Sequence, residues 1–193
     1  MNHYFTNTDL EHNKKEINVI FKETKFTFFT DNGVFSKSGL DFGTRTLLEN
    51  INFEDLKGDI LDFGCGYGPI GIILSKLTNL EIDMLDINER SLDLAKQNSK
   101  LNNTKTNIFK SDIYENVTKK YDFIITNPPI RVGNEILHKI LFEAKNHLKE
   151  NGKMYLVVNK DQGAKSLAKK LENYYNVQII GKNKGFFVIL CSK

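Results

Sequence analysis

The sequence predicts a doubly wound α/β fold, a mostly parallel sheet with helices on both faces. Three observations carry that reading. From "GDILDFG" onward, short apolar runs alternate with helix-length amphipathic segments, the pattern of successive strand–helix units. A glycine-rich loop joins the first of these runs to its helix. The last two apolar runs are separated only by "NKG", too short for the crossover that parallel pairing needs, so they should close as an antiparallel hairpin. The expected sheet has five or six parallel strands and one antiparallel strand from the C-terminus.

Each element has its own local reason. "INVIFKETKFTFFTDNGVFS" is rich in Ile, Val, Phe and Thr and broken at "KETK" and "DNG", which predicts a β-hairpin followed by a turn. "LDFGTRTLLENI" takes helical spacing from about Thr44. "GDILDFG" is a strand, and "PIGIILSKL" a helix with Pro69 in its first turn. "LEIDMLD" is a strand. "NERSLDLAKQNSKLNN" is an amphipathic helix with Leu92, Leu94, Ala95 and Leu101 toward one side. "TNIFKSD" and "YDFIIT" are strands. "NEILHKILFEAKNHLKENG" is a helix closed by Asn-Gly, "KMYLVVN" a strand, and "DQGAKSLAKKLENYY" a helix capped by Asp161. "VQIIGK" and "GFFVILC" finish the chain.

The totals bound the function. A chain of 193 residues, 40% hydrophobic and 26% charged, is long enough to bury a core. There is no internal repeat or linker, and one domain over 1–193 is the simplest organisation. A net charge of +3 permits a nucleic-acid partner without arguing for one. Cys65 and Cys191 form no disulfide framework, and the four histidines share no metal-ligand spacing with cysteines or acids. His138 and His147 are expected to be structural. The N-terminus lacks the apolar core of a signal peptide, and no apolar run approaches a membrane span. The expectation is a cytoplasmic protein that engages neither membrane nor metal.

"LDFGCGYGPIG" ends a strand and opens a helix. Gly66, Gly68 and Gly71 fit G-x-G-x-x-G; Asp62, Gly64, Gly66 and Gly68 fit D-x-G-x-G-x-G. Glycine lets the backbone turn tightly and approach a ligand, and helix-terminal amides face its negative group. That group is pyrophosphate in a dinucleotide or the carboxylate of S-adenosyl-L-methionine, and the loop alone leaves both open. Asp86, at the end of the next strand, is placed to accept hydrogen bonds from ribose hydroxyls, or else to cap the following helix. Asp112, at the end of "IFKSD", stands at the same rim, either beside an adenine or in a loop.

"YDFIITNPPIRVG" separates these ligands. An exocyclic amine such as guanine's is a poor nucleophile because its lone pair is delocalised. Asn127 can accept one amine hydrogen through its side chain, and the carbonyl of Pro128 the other. Two fixed acceptors pull the nitrogen toward tetrahedral geometry and aim its lone pair. Pro128 and Pro129 stiffen the arrangement, so the rate gain is positioning and electrostatics. A nicotinamide enzyme has no use for this motif.

With "DFGCGYGPIG", "TNPPIRVG" and the upstream "GVFSKSGLDFGTRTLL" together, the chain resembles the small-domain family of class I S-adenosylmethionine-dependent methyltransferases. Within that family it is most similar to the rRNA guanine-N(2)-methyltransferases. The resemblance implies a Rossmann-like seven-stranded sheet over 41–193 and a β extension over 1–40 that lies on the cofactor site. It implies S-adenosyl-L-methionine held by Asp62, Gly64, Cys65, Gly66, Gly68, Asp86, Ile87, Ser111, Asp112 and Asn127. It also implies a target pocket lined by Phe35, Ser36, Asp41, Thr44, Ile130 and Arg131, and ribosomal RNA or a ribosomal subunit as partner. Many relatives carry an aromatic residue after Asn-Pro-Pro where this chain has Ile130, so either Phe35 or Phe42 is expected to supply the ring, or Ile130 to make apolar contact only. Longer relatives carry a second, degenerate copy of the domain; this chain has one. Lys37, Arg45 and Arg131 are placed at the rim, with Lys119–Lys120 and Lys169–Lys170 on solvated surface. The alternatives are a DNA adenine or a protein glutamine amide as acceptor, or a non-catalytic RNA-binding module that keeps a cofactor-shaped pocket.

Overall fold

The computed structural model of the chain describes residues 13–32, 39–129 and 133–193. Strands β1 (Lys15–Phe21) and β2 (Thr24–Thr30) form an antiparallel hairpin. Its turn is Lys22–Glu23, with φ of 45° and 62°. Two left-handed residues make the turn whose twist matches that of a hairpin, here without the usual Asn-Gly.

The rest is α1 (Phe42–Glu49), β3 (Ile60–Phe63), α2 (Pro69–Thr78), β4 (Ile82–Asp86), α3 (Glu89–Leu101), β5 (Thr106–Lys110), β6 (Tyr121–Thr126), α4 (Asn134–His147), β7 (Leu148–Asn159), α5 (Ala164–Leu171), β8 (Asn176–Asn183) and β9 (Phe186–Ser192). A seven-stranded sheet runs β5-β4-β3-β6-β7-β9-β8. The pairs from β5 to β7 are parallel, and β9 is antiparallel to both its neighbours. The C-terminal hairpin thus forms as its short linker requires, with Lys184 and Gly185 at φ of 43° and 86°.

Helices α1–α3 and the N-terminal hairpin cover one face, where Leu47, Leu48, Ile72, Ile73 and Ala95 pack on Ile60, Ile125 and Val157. Helices α4 and α5 cover the other, where Leu141, Ala144 and Leu171 pack on Leu61, Ile124, Leu156 and Ile189. Successive β7 side chains divide between the faces, Met154, Leu156 and Val158 to one and Tyr155 and Val157 to the other, as the two-residue period of a strand requires. Among the described residues, no helix is long and apolar enough to cross a membrane.

Three local expectations shift. The helix before β7 ends at His147, ahead of Asn151–Gly152, because Leu148 is extended (φ −90°, ψ 140°) and fully buried, paired with Tyr121. Asp161 caps no α-helix: Asn159 caps a short 3-10 turn, Lys160–Gln162, and α5 follows Gly163. Leu101 is 43% exposed, and its expected place on the buried side of α3 is taken by Asn98 and Asn102.

Those two asparagines dock the hairpin. Asn98 Oδ1 accepts from Phe29 N–H at 2.7 Å and its Nδ2 donates to Phe29 O at 2.9 Å. Asn102 repeats the pattern on Thr27, at 3.1 and 2.7 Å. Four residues apart on one helix face, they present to the free edge of β2 the donor–acceptor pairs of a neighbouring strand. Arg90 closes the row with Nε and Nη2 on Asp31 Oδ2 at 3.1 and 2.7 Å.

Candidate active site

The site lies where the sheet changes direction. From β3 the chain winds outward through β4 and β5, then returns to the other side with β6 and β7. Ligands of open α/β sheets bind in the crevice beyond the strand ends at such a point. Thr126 ties the two strand ends together, its hydroxyl donating to Phe63 O at 2.9 Å. The glycine loop leaves β3 on one side, and Asn127-Pro128-Pro129 leaves β6 on the other.

Within the loop the glycines do different work. Gly64 and Gly66 have φ of 70° and 57°, and a Cβ on either would meet nothing within 4 Å. They present bare backbone to open space. At Gly68 a Cβ would press on Ile72 and Met84, and at Gly71 it would come within 2.7 Å of Met84 Sδ. Those two let α2 sit close on the sheet. Cys65 is buried and its thiol is pushed up by burial, so the backbone is what it offers to the crevice.

The acids organise the loop. Asp86 Oδ2 accepts from Gly66 N–H at 2.9 Å, and Oδ1 from Asn88 N–H at 2.9 Å. Burial raises its carboxyl, against the pull of these backbone donors. Helix α3 is capped by Asn88, which accepts from Ser91 N–H, so the capping alternative for Asp86 falls away. A carboxylate has about four acceptor sites, and Asp86 retains capacity for a hydroxyl. Asp62 is fully buried; its Oδ2 accepts from Gly71 N–H at 2.8 Å, while Oδ1 has no partner among the described residues. Burial pushes its carboxyl up to about 7. The Gly71 amide in the first turn of α2 therefore faces an internal carboxylate, where the sequence reading had the helix amides face the ligand.

Ile87 is half-buried beside Asp86. Ser111 is buried, its N–H donating to Asp86 O at 3.1 Å and its hydroxyl accepting from Asn116 N–H. Asp112 is exposed next to it.

Across the crevice, Asp41 caps α1, its Oδ1 accepting from Thr44 N–H at 3.0 Å. The same oxygen accepts from Asn127 Nδ2 at 3.2 Å, and Thr44 Oγ1 accepts from Nδ2 at 3.0 Å. A carboxylate only accepts, so it dictates which end of the amide faces it. Both amide hydrogens of Asn127 are engaged, and its carbonyl oxygen is turned to the opposite side. Pro128 is buried and Pro129 half-buried. Phe35, Ser36, Lys37, Ile130 and Arg131 lie outside the described residues. Arg45 turns from this corner, donating to Ile20 O at 3.3 Å and lying 3.9 Å from Glu49. Lys119 is no merely solvated residue: it pairs with Asp59 and Asp83, each at 3.0 Å. His147 stacks on Tyr114 at 4.3 Å and His138 packs on Phe142.

The N-terminal hairpin reaches this site through residues that the sequence reading did not single out. Asn98 Nδ2 also donates to Tyr67 O, inside the glycine loop, at 2.8 Å. Phe28 meets the Tyr67 ring edge-on at 5.7 Å, and the Tyr67 hydroxyl donates to Gly39 O at 3.4 Å. The available signal was the asparagine pair standing where α3 should be apolar. Among the described residues, no group of three or more His, Cys, Asp or Glu is arranged to hold a metal ion.

Comparison with known proteins identifies the family. Residues 25–190 match the family described as "Methyltransferase small domain". YbxB of Bacillus subtilis (strain 168) is 39% identical over 197 residues, covering 99% of this chain and 98% of that protein. Ribosomal RNA small subunit methyltransferase C of Psychromonas ingrahamii is 34% identical over 164 residues, covering 82% of this chain but 46% of that protein. Among solved structures, the T. thermophilus 16S rRNA N2 G1207 methyltransferase, in complex with AdoMet and guanosine, superposes with a TM-score of 0.84 at 24% identity, covering 93% of this chain and 50% of that one. The chain thus spans about half the length of the rRNA methyltransferases it matches.

Proposed function

The chain belongs to the methyltransferase small-domain family, and from that premise we propose that it methylates an exocyclic amine, the N2 of guanine in ribosomal RNA, using S-adenosyl-L-methionine. The observation that carries the reading is the Asn127 amide, locked by Asp41 and Thr44 with its oxygen turned away from them. Support for the acceptor comes from the similarity to small-subunit rRNA methyltransferases and the fold shared with a structure that holds guanosine. Such a substrate places the enzyme in the cytoplasm, acting on RNA or on a ribosomal subunit.

The residues divide the work. Gly64 and Gly66 leave room for the cofactor's methionyl end, and Asp86 accepts from its ribose; Ser111 and Asp112 border the adenine. When bound, the cofactor supplies an electrophilic methyl group on a sulfonium. Asn127 Oδ1 and the Pro128 carbonyl each accept one hydrogen of the target amine, aiming the nitrogen lone pair. So held, the amine nitrogen would take up the methyl group, its lone pair making the N–C bond while the C–S pair would stay with the departing thioether. The nitrogen then gives its surplus proton to solvent. Phe35, Ser36, Ile130 and Arg131 belong to the same proposal as the target side of the pocket.

The test offers methyl-labelled S-adenosyl-L-methionine with naked ribosomal RNA, ribosomal subunits, duplex DNA and ribosome-free protein. The expected product is N2-methylguanosine in digested RNA. Label confined to adenine in DNA or to glutamine in protein would overturn the acceptor and leave the amine chemistry.

A further inference from the structure

Beside the anchor of Asn127 runs a strip of aromatic and basic side chains from three separate segments. Phe42 follows Asp41 in the first turn of α1. Its ring centroid lies 5.7 Å from that of Phe186, the first residue of β9. Gly43 makes room for this pair, since a Cβ there would come within 2.9 Å of the Phe186 ring and 3.1 Å of Asp41 Oδ1. Lys184, in the β8–β9 turn, holds its ammonium 5.1 Å from the Phe42 centroid. Lys160, just past β7, donates its N–H to Gly185 O at 2.7 Å. Its methylene stem lies against Gly185. Both lysines are exposed and both phenylalanines half-buried. Asp161, exposed, adjoins Lys160 in the chain; among the described residues neither lysine has a carboxylate in ion-pair contact.

Exposed lysines are usually solvated surface. Here they flank half-open rings that begin one residue from the side chain holding Asn127. Rings for stacking and ammonium groups for phosphates are what a single strand of nucleic acid needs from a protein. We propose that Phe42, Phe186, Lys184 and Lys160 form the surface on which the RNA strand flanking the target nucleotide lies, bases against the rings and phosphates against the lysines. This rests on the reading of the substrate as RNA and adds to it where that RNA docks.

Lys160→Glu/Lys184→Glu is compared with Lys169→Glu/Lys170→Glu, an equal charge change at the end of α5 on the opposite face of the sheet. Binding of a fluorescein-labelled single-stranded RNA is followed by anisotropy against salt, with S-adenosylhomocysteine present. For two phosphates lost, the slope of log affinity on log salt should flatten by about 1.4. Affinity at low salt should fall about tenfold or more for the first pair and less than twofold for the second. Phe186→Leu should weaken binding about fivefold with its salt slope unchanged, since stacking is not ionic. In methylation assays Lys160→Glu/Lys184→Glu and Phe186→Leu should raise KM for RNA and keep kcat, while Lys169→Glu/Lys170→Glu should leave KM nearly unchanged. Equal effects of the two lysine pairs, with wild-type protein still methylating RNA, would overturn the strip and leave the substrate reading intact. Wild-type protein that labels protein or DNA but not RNA would overturn both.

Discussion

In the proposed reaction, Asn127 can orient an amine because neighbouring residues remove its own freedom. An amide side chain turns easily about its last bond, and turned over it would present hydrogens to an amine that already has its own. The Asp41 carboxylate and Thr44 hydroxyl fix it at 3.2 and 3.0 Å. Thr44→Val keeps the shape of this buried residue and removes one anchor. About a tenfold fall in kcat is expected, the equivalent of 1.4 kcal/mol, with cofactor affinity and melting temperature nearly unchanged; an unaltered kcat would remove Thr44 from the positioning role. Asp62 makes a different prediction. Its carboxyl rises from the ordinary 3.8 to about 7, so between those pH values the folded chain holds a proton that the unfolded chain has lost. Stability contributed by this group is complete below 3.8 and falls as pH rises to 7, by on the order of 4 kcal/mol. Asp62→Asn keeps an oxygen for Gly71 and cannot titrate. Relative to wild type it should gain stability steadily from pH 4 to 7, checked by melting temperature across that range. A difference that stays flat would show that burial of Asp62 is not felt.

At the scale of elements, the hairpin β1–β2 is held to α3 by side chains imitating a strand. Asn98→Ala removes both bonds to Phe29 and the bond to Tyr67 O. A buried backbone group left unpaired costs about 1–3 kcal/mol. The expected result is a loss of about 2–4 kcal/mol and faster amide exchange in β2 and the glycine loop, while Asn102→Ala affects β2 alone. Equal exchange in the loop for both variants would contradict a link through Asn98. The sheet itself was legible in the sequence, since its strands are apolar runs bounded by Gly, Asn or Asp, and "NKG" dictated the closing hairpin. The helix ends were less so. Asn151-Gly152 looks like a helix stop, but Leu148 leaves the helix earlier, extended and fully buried opposite Tyr121. Leu101 yields its expected place to the two asparagines because the partner of that helix face is a strand edge needing hydrogen bonds, which no periodicity records.

Over the whole molecule, the candidate site is assembled from segments far apart in the chain. The Asp41–Thr44 corner comes from α1, the open glycines from the loop after β3, Asp86 from β4 and Asn127 from β6. Glycine loop, acid and Asn-Pro-Pro could each be read locally, because their chemistry is written in short motifs. The strip of Phe42, Phe186, Lys184 and Lys160 could not, because it exists only once β9 lies beside α1 and the end of β7. In the proposed reaction this convergence holds the target amine on Asn127, with its lone pair toward the methyl group. Asn127→Ala tests it most directly, with methyl transfer to ribosomal RNA and cofactor affinity measured on the same preparation. The expected result is a fall in kcat of about a hundredfold or more, as for loss of one preorganised hydrogen-bonding group, with the cofactor dissociation constant within about twofold of wild type. Turnover within a few fold of wild type would contradict it.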